Sequence, residues 1–132
     1  MSRVFADTSA LYALLVATDA NHAAAAQVFH RLVRDQSSLL TTSYVLVELY
    51  ALLGRRLGLH VVAAFRSDFA PLLEVVWVEA ATHERALDLL IARADRELSL
   101  VDAVSFVVLR EQQVESAFAY DRHFGREGFS VL

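Results

Sequence analysis

Apolar residues along this chain fall into short unbroken runs separated by longer stretches of helical spacing. Val4-Phe5-Ala6, Leu39-Leu40-Thr41, Glu74 to Val78, Ser116 to Ala119 and Phe129 to Leu132 are brief, rich in β-formers and bounded by polar or turn residues, which predicts buried strands. Between them apolar positions recur three and four apart. Helices are predicted over Ser9 to about Ala17, His22 to Arg34, Ser43 to about Arg56, Leu59 to about Phe69, His83 to Ala94, and Leu100 to about Glu111. The second of these places Ala25, Val28, Phe29 and Leu32 on one face. Ser43 and Thr82 are the expected caps of the third and fifth, Gly58 ends the third, and Pro71 sits at the exit of the fourth. "TDANH" (18–22), "DQSS" (35–38), "DRELS" (95–99) and "YDRHFGREG" (120–128) read as turns and loops. Strands alternating with helices predict an α/β fold: one domain over residues 1–132, with a short central parallel sheet and helices on both faces.

Four acids interrupt apolar surroundings: Asp7 in "FADTSAL", Glu48 in "YVLVELYALL", Asp102 in "LSLVDAVSFVVL" and Asp121 in "AFAYDRHF". Each has a structural explanation when taken alone. Asp7 can cap the first helix, and Glu48 can lie on a solvated stripe with Tyr44 and Arg55. Asp102 can complete a capping box with Ser99, and Asp121 can be a turn residue. Taken together they carry more. In parallel sheets ligands bind beyond the carboxyl ends of the strands. Asp7 and Asp121 both follow strand ends, and Asp102 opens a helix where backbone N–H groups favour an anion. Ser9 lies just beyond Asp7, and Ser105 shares the helix face of Asp102. Carboxylates gathered in one cleft repel, and a divalent ion removes that repulsion; Mg²⁺ and Mn²⁺ favour carboxylate, hydroxyl and water oxygens.

Composition narrows the chemistry. The chain is 56% hydrophobic, above the usual share of about 45–50%, which suggests apolar surface destined for another chain. It has no cysteine, so thiol catalysis and thiolate metal sites are excluded. All twelve basic residues are Arg, which closes Schiff-base chemistry and phosphate-loop lysines. The net charge of −4 argues against a broad basic surface but allows a local basic rim. Neither a leader segment nor an apolar run approaching the roughly 18 residues of a membrane helix is visible, so a cytoplasmic protein without membrane contact is expected.

"DTSAL", Glu48 in a mid-chain helix, "LSLVDAVSFVV" and "YDRHF" also follow one another in a recognisable order and spacing. In this the chain resembles the PIN-domain nucleases, and specifically the VapC-type toxins of toxin–antitoxin pairs, nearly end to end. The resemblance implies a PIN-like three-layer sandwich. It makes Asp7, Glu48, Asp102 and Asp121 the catalytic acids, with Asp7 and Asp102 as first metal ligands. Glu48 would ligate or position water, and Asp121 would hold a second, weaker ion. Ser9 and Ser105 would orient the acids. Many relatives end the strand before the last acid in Thr, where this chain has Tyr120.

The chemistry so implied is Mg²⁺- or Mn²⁺-dependent hydrolysis of RNA phosphodiester bonds, leaving a 5′-phosphate and a 3′-hydroxyl. Zn²⁺ is not expected, because no histidine stands at ligand spacing; His123 reads as a packing or rim residue. Arg55, Arg56, Arg93, Arg96, Arg122 and Arg126 fall where they could rim the cleft and grip phosphate, although plain solubilising charge explains each equally well. A homodimer packed through helices is expected. So is a small VapB-like, DNA-binding antitoxin lying along residues 9–17 and 44–69, with a basic side chain near the acids. A receiver domain would need a lysine, and a haloacid-dehalogenase-type phosphatase would need an Asp where Ser9 stands. A stand-alone RNA-processing nuclease and a non-catalytic ion-binding module remain as alternatives.

Overall fold

The structure is a computed structural model and describes residues 2–132. In chain order its elements are β1 (Arg3–Ala6), α1 (Thr8–Leu15), α2 (His22–Arg34), β2 (Ser38–Thr42), α3 (Ser43–Arg56) and α4 (Leu59–Asp68). A short 3₁₀ turn (Ala70–Leu72) leads to β3 (Leu73–Val76), α5 (Ala80–Arg93), α6 (Leu100–Glu111), β4 (Ser116–Phe118), α7 (His123–Arg126) and β5 (Ser130–Val131). The five strands form one sheet in the order β3-β2-β1-β4-β5, parallel throughout, as the alternation predicted.

Successive strand residues face opposite sides of a sheet. Val4, Phe5 and Ala6 are consecutive and all buried, so helices cover both faces of the central strand. Register pairs Phe5 with Leu40 on one side and with Ala117 on the other. Around this centre Phe106 packs on Phe124 edge-on at 5.2 Å, and Phe124 lies 6.1 Å from Phe5. All three are fully buried, and each contributes roughly 1.5–3 kcal/mol by leaving water.

The topology locates the site. From β1 the chain moves outward to β2 and β3, then returns to place β4 on the other side of β1. The crevice beyond the carboxyl ends of β1 and β4 is therefore the point where strand order reverses, the usual ligand position in open parallel sheets. Asp7 leaves one wall of it and Asp121 the other.

Three local expectations are corrected. The cap of α3 is Thr42, whose hydroxyl accepts from the Val45 N–H at 3.1 Å. Ser43 instead accepts from the Val78 N–H at 2.9 Å, tying the start of α3 to the exit of β3. α5 begins at Ala80, ahead of Thr82, because two alanines favour helix and need no side-chain cap. Residues 120–128 are not all loop, since they contain α7.

Candidate active site

Three of the four predicted acids sit at helix starts. Asp7 caps α1: its Oδ2 accepts from the Ser9 backbone at 3.2 Å and from the Ser9 hydroxyl at 2.7 Å. The same hydroxyl accepts from the Tyr120 N–H at 2.9 Å, so Ser9 joins Asp7 to the segment that carries Asp121. Asp102 completes the capping box of α6, with Oδ2 taking the Ser99 N–H and the Ser99 hydroxyl taking the Asp102 N–H, both at 3.1 Å. Asp121 precedes α7, and its Oδ1 accepts from the His123 N–H at 2.9 Å. The structural and functional explanations of these acids thus hold at once. Backbone N–H groups that would otherwise lack partners hold the carboxylates in place and partly offset their charge.

That offset is incomplete. Asp7 is only 4% exposed, and its carboxyl is pushed up to about 7. Burial is the largest cause; the Ser9 hydroxyl opposes it, while the charges of Asp102 and Asp121 add to it. The Asp102 carboxyl is also raised, first by burial and then by Asp121, against its hydrogen bonds with Ser99. The three carboxylates therefore act on one another across one site. At neutral pH they hold more negative charge than the fold comfortably accommodates.

Glu48 lies half-buried on the middle of α3, one helical turn beyond Tyr44. Tyr44 bonds to the His83 ring, which anchors that part of α3 to α5. The Glu48 carboxylate makes no hydrogen bond or ion pair among the described residues, and nothing in the structure joins it to the other three acids. The Ser105 hydroxyl bonds none of the acids. The residue is fully buried, and its hydroxyl donates to the Val101 carbonyl one turn back, at 2.9 Å, as serines inside helices commonly do.

His123 is where sequence reasoning fell short. One ring nitrogen lies within 4.8 Å of carboxylate oxygens of Asp102 and Asp121, so a histidine does stand at ligand spacing. The signal was present in "YDRHF", but the approach depends on the turn into α7. Of the six arginines, Arg93 is committed to Glu127 and is not free to grip phosphate. Arg122 is exposed, 3.6 Å from Glu97, while Arg126 shares a cavity of about 250 Å³ with His123 and Asp95. Arg96 is exposed on the loop leading to α6. Arg55 and Arg56 occupy the last turn of α3, where they suit the negative helix end, and Arg56 lies over the Tyr12 ring at 5.4 Å. A cavity of about 740 Å³ is formed by the segments leading into β4 and β5 and by the first residue of β5, at the opposite end of those strands from Asp7 and Asp121.

The donor set fits a divalent, oxygen-seeking ion. The pKa values of Asp7 and Asp102 are raised, in part by neighbouring carboxylates; Asp102 and Asp121 with a ring nitrogen beside them form a ligand-sized cluster, and no thiol competes. Such an ion would relieve the repulsion that burial creates. Comparison with known proteins agrees. Residues 4–129 match the family model described as PIN domain. The 23S rRNA-specific endonuclease VapC20 of Mycobacterium tuberculosis is 35% identical over 127 residues, covering 96% of this chain and 95% of that protein. The crystal structure of VapC20, a sarcin–ricin loop cleaving toxin, superposes with a TM-score of 0.82 at 36% identity, covering 96% of this chain and 95% of that one. FitAcB from Neisseria gonorrhoeae shares the fold, with a TM-score of 0.71 at 12% identity over 100% of this chain and 96% of that one. The chain belongs to the PIN-domain family of metal-dependent nucleases.

Proposed function

We propose that this protein is a Mg²⁺-dependent endoribonuclease, with Mn²⁺ as substitute, and the toxin of a toxin–antitoxin pair. The observation that carries the reading is the convergence of Asp7, Asp102 and Asp121 in the crevice between β1 and β4, where burial and mutual charge drive the Asp7 carboxyl up to about 7. Similarity to VapC20 supports RNA as the substrate class and makes the sarcin–ricin loop of 23S rRNA the first sequence to test.

Asp7, Asp102 and Asp121 would hold the ion, with Glu48 ligating or positioning the attacking water. When bound, a divalent ion supplies positive charge against the phosphate and a lower pKa for the attacking water. The chain's own part is to fix these oxygens before substrate arrives. Ser9 and Ser99 hold two of the carboxylates through hydrogen bonds, so little reorganisation is needed when charge builds on phosphorus. Arg96, Arg122 and Arg126, on segments beside Asp102 and Asp121, would receive the RNA backbone.

Partner binding would draw on exposed apolar helix surface. Val47 on α3 and Leu59 on α4 are 68% and 78% exposed. They fall on the helix pair along which an antitoxin segment is expected, and exposed apolar helix surface of this kind also suits a homodimer. The test is incubation of the purified chain with ribosomes and with naked 23S rRNA in Mg²⁺ or Mn²⁺, followed by end mapping. Cuts with a 5′-phosphate that vanish in EDTA, return with either ion but not with Zn²⁺, and are suppressed by the co-expressed neighbouring small protein are expected. Cutting that survives exhaustive chelation refutes the mechanism. Cutting unaffected by that neighbour removes the toxin–antitoxin reading and leaves a nuclease.

A further inference from the structure

His123 has no role in the chemistry described so far, yet it is the residue most closely bound to Asp121. Asp121 is the least supported of the clustered acids. It lies outside any strand or helix, and its side chain is 30% exposed. Its Oδ1 receives two bonds from one residue: the His123 N–H at 2.9 Å and the His123 ring Nδ1 at 2.6 Å. A carboxylate oxygen can only accept, so Nδ1 carries the hydrogen. Among the described residues no hydrogen bond reaches Oδ2.

The ring itself is held. Its side chain is 11% exposed, and its Nε2 is buried without a hydrogen-bond partner, 3.9 Å from an Asp95 carboxylate oxygen. The next residue, Phe124, is fully buried between Phe5 and Phe106. Beyond the other end of α7, the Glu127 carboxylate is 8% exposed and bonded by Arg93 of α5 and by Arg110 of α6, the latter at 2.6 Å. A four-residue helix has little stability of its own. Anchored at both ends, α7 becomes a fixed mount for the imidazole.

We propose that His123 is a positioning residue for Asp121: its imidazole occupies Oδ1 and leaves Oδ2 as the oxygen offered to the metal. This rests on the proposed role of Asp121 as an ion ligand.

The test is Mn²⁺ affinity of the whole chain, read from the EPR signal of free Mn²⁺, with thermal melts alongside. His123→Ala is expected to weaken Mn²⁺ binding about 10–100-fold, the usual effect of losing a group that orients a ligand. His123→Asn should recover most of it, since its amide nitrogen sits as many bonds from Cα as Nδ1 does. His123→Gln, one carbon longer, should not. In an Asp121→Asn background His123→Ala should change affinity less than about twofold. The proposal is overturned by a folded His123→Ala that binds Mn²⁺ like wild type, or by an equal loss in the Asp121→Asn background. Equal affinity of the Asn and Gln variants overturns it too, and decides the matter if Ala does not fold. A ¹⁴N coupling typical of directly coordinated imidazole in pulsed EPR overturns it by making His123 a ligand. Cleavage of RNA by wild type in the same solutions separates this from the nuclease reading. A wild type whose Mn²⁺ affinity depends on Asp121 and His123 as described but which cuts nothing refutes only the latter.

Discussion

Replacing Asp7 by Asn should make the metal-free protein more stable while abolishing its activity. The Asp7 carboxyl is held near pH 7 in the folded chain, against 3.8 for an unperturbed aspartate. Each unit of difference is worth about 1.4 kcal/mol, so the ionised group costs the fold about 4 kcal/mol at pH 7.5. Between 3.8 and about 7 the folded state keeps a proton that the unfolded chain has released, so stability falls as pH rises through that window. Asn has no charge to desolvate. Its amide oxygen can still accept from Ser9, and its NH₂ can face the neighbouring carboxylates. A chain of 132 residues unfolds with an entropy of about 280 cal/mol/K, so full relief raises the melting temperature by about 14 °C. Loss of charge-assisted bonding to Ser9 reduces this, and a gain of about 7–14 °C is expected.

The assay is differential scanning calorimetry of both proteins in EDTA from pH 4.5 to 7.5, then at pH 7.5 with Mn²⁺. Near pH 4.5 the folded wild type is protonated at Asp7 and lies less than one pH unit above the unfolded pKa of 3.8, so the gap should shrink to about 1 kcal/mol. Mn²⁺ at a hundred times its Kd should stabilise the wild type by about 2.7 kcal/mol and the variant hardly at all, closing most of the gap from the other side. An Asn variant that melts no higher than wild type at pH 7.5 in EDTA refutes the account. So does a gap that does not change with pH, because a packing effect would not titrate.

Asp102→Asn should eliminate RNA cleavage with far-UV circular dichroism unchanged, because the amide oxygen can still take the Ser99 N–H of the capping box while the charge is gone; retained cleavage in a gel assay would remove Asp102 from the site. Ser9→Ala should lower stability by about 1–3 kcal/mol, because it leaves the Tyr120 N–H without its acceptor and Asp7 without its shortest bond, and a melt within 1 °C of wild type, on the order of experimental error, would show that the bridge contributes nothing. Ser105→Ala should leave cleavage within about twofold, since its hydroxyl bonds only its own helix, and a larger loss would restore it as a residue that orients an acid.

What could be read from the sequence follows from how local the causes are. β1 and α6 announce themselves because burial on both strand faces and a capping box each write a short-range pattern, and Asp7 and Asp102 come with them. α7 does not. "HFGR" is one turn with a glycine inside it, and what makes it helical is Phe124 entering the core and Glu127 meeting arginines from α5 and α6. His123 was missed with it, since its ring meets Asp121 only through that turn. Thr42 and Ser43 are adjacent hydroxyls with equal claims as cap. The choice was made by the Val78 N–H, which is far away in sequence. Glu127 reads as one more loop acid, yet it is buried because two guanidinium groups come to it from distant helices.

Asp7, Asp102 and Asp121 also show why the capping and catalytic explanations could not be separated by pattern. A carboxylate needs backbone donors to survive burial, and the ready supply of unpaired donors in a folded chain is the first turn of a helix. A site that must hold several buried carboxylates without a lysine in the chain is therefore built where helix starts meet, and each acid in it looks, one at a time, like an ordinary cap. What distinguishes the functional case is the sum. One capped carboxylate keeps a low pKa, as hydrogen bonds to the charged form dictate. Here the capped Asp7 is driven in the opposite direction by burial and by its two neighbours. Caps that stabilise their helices and destabilise one another have a use only when a cation completes the group.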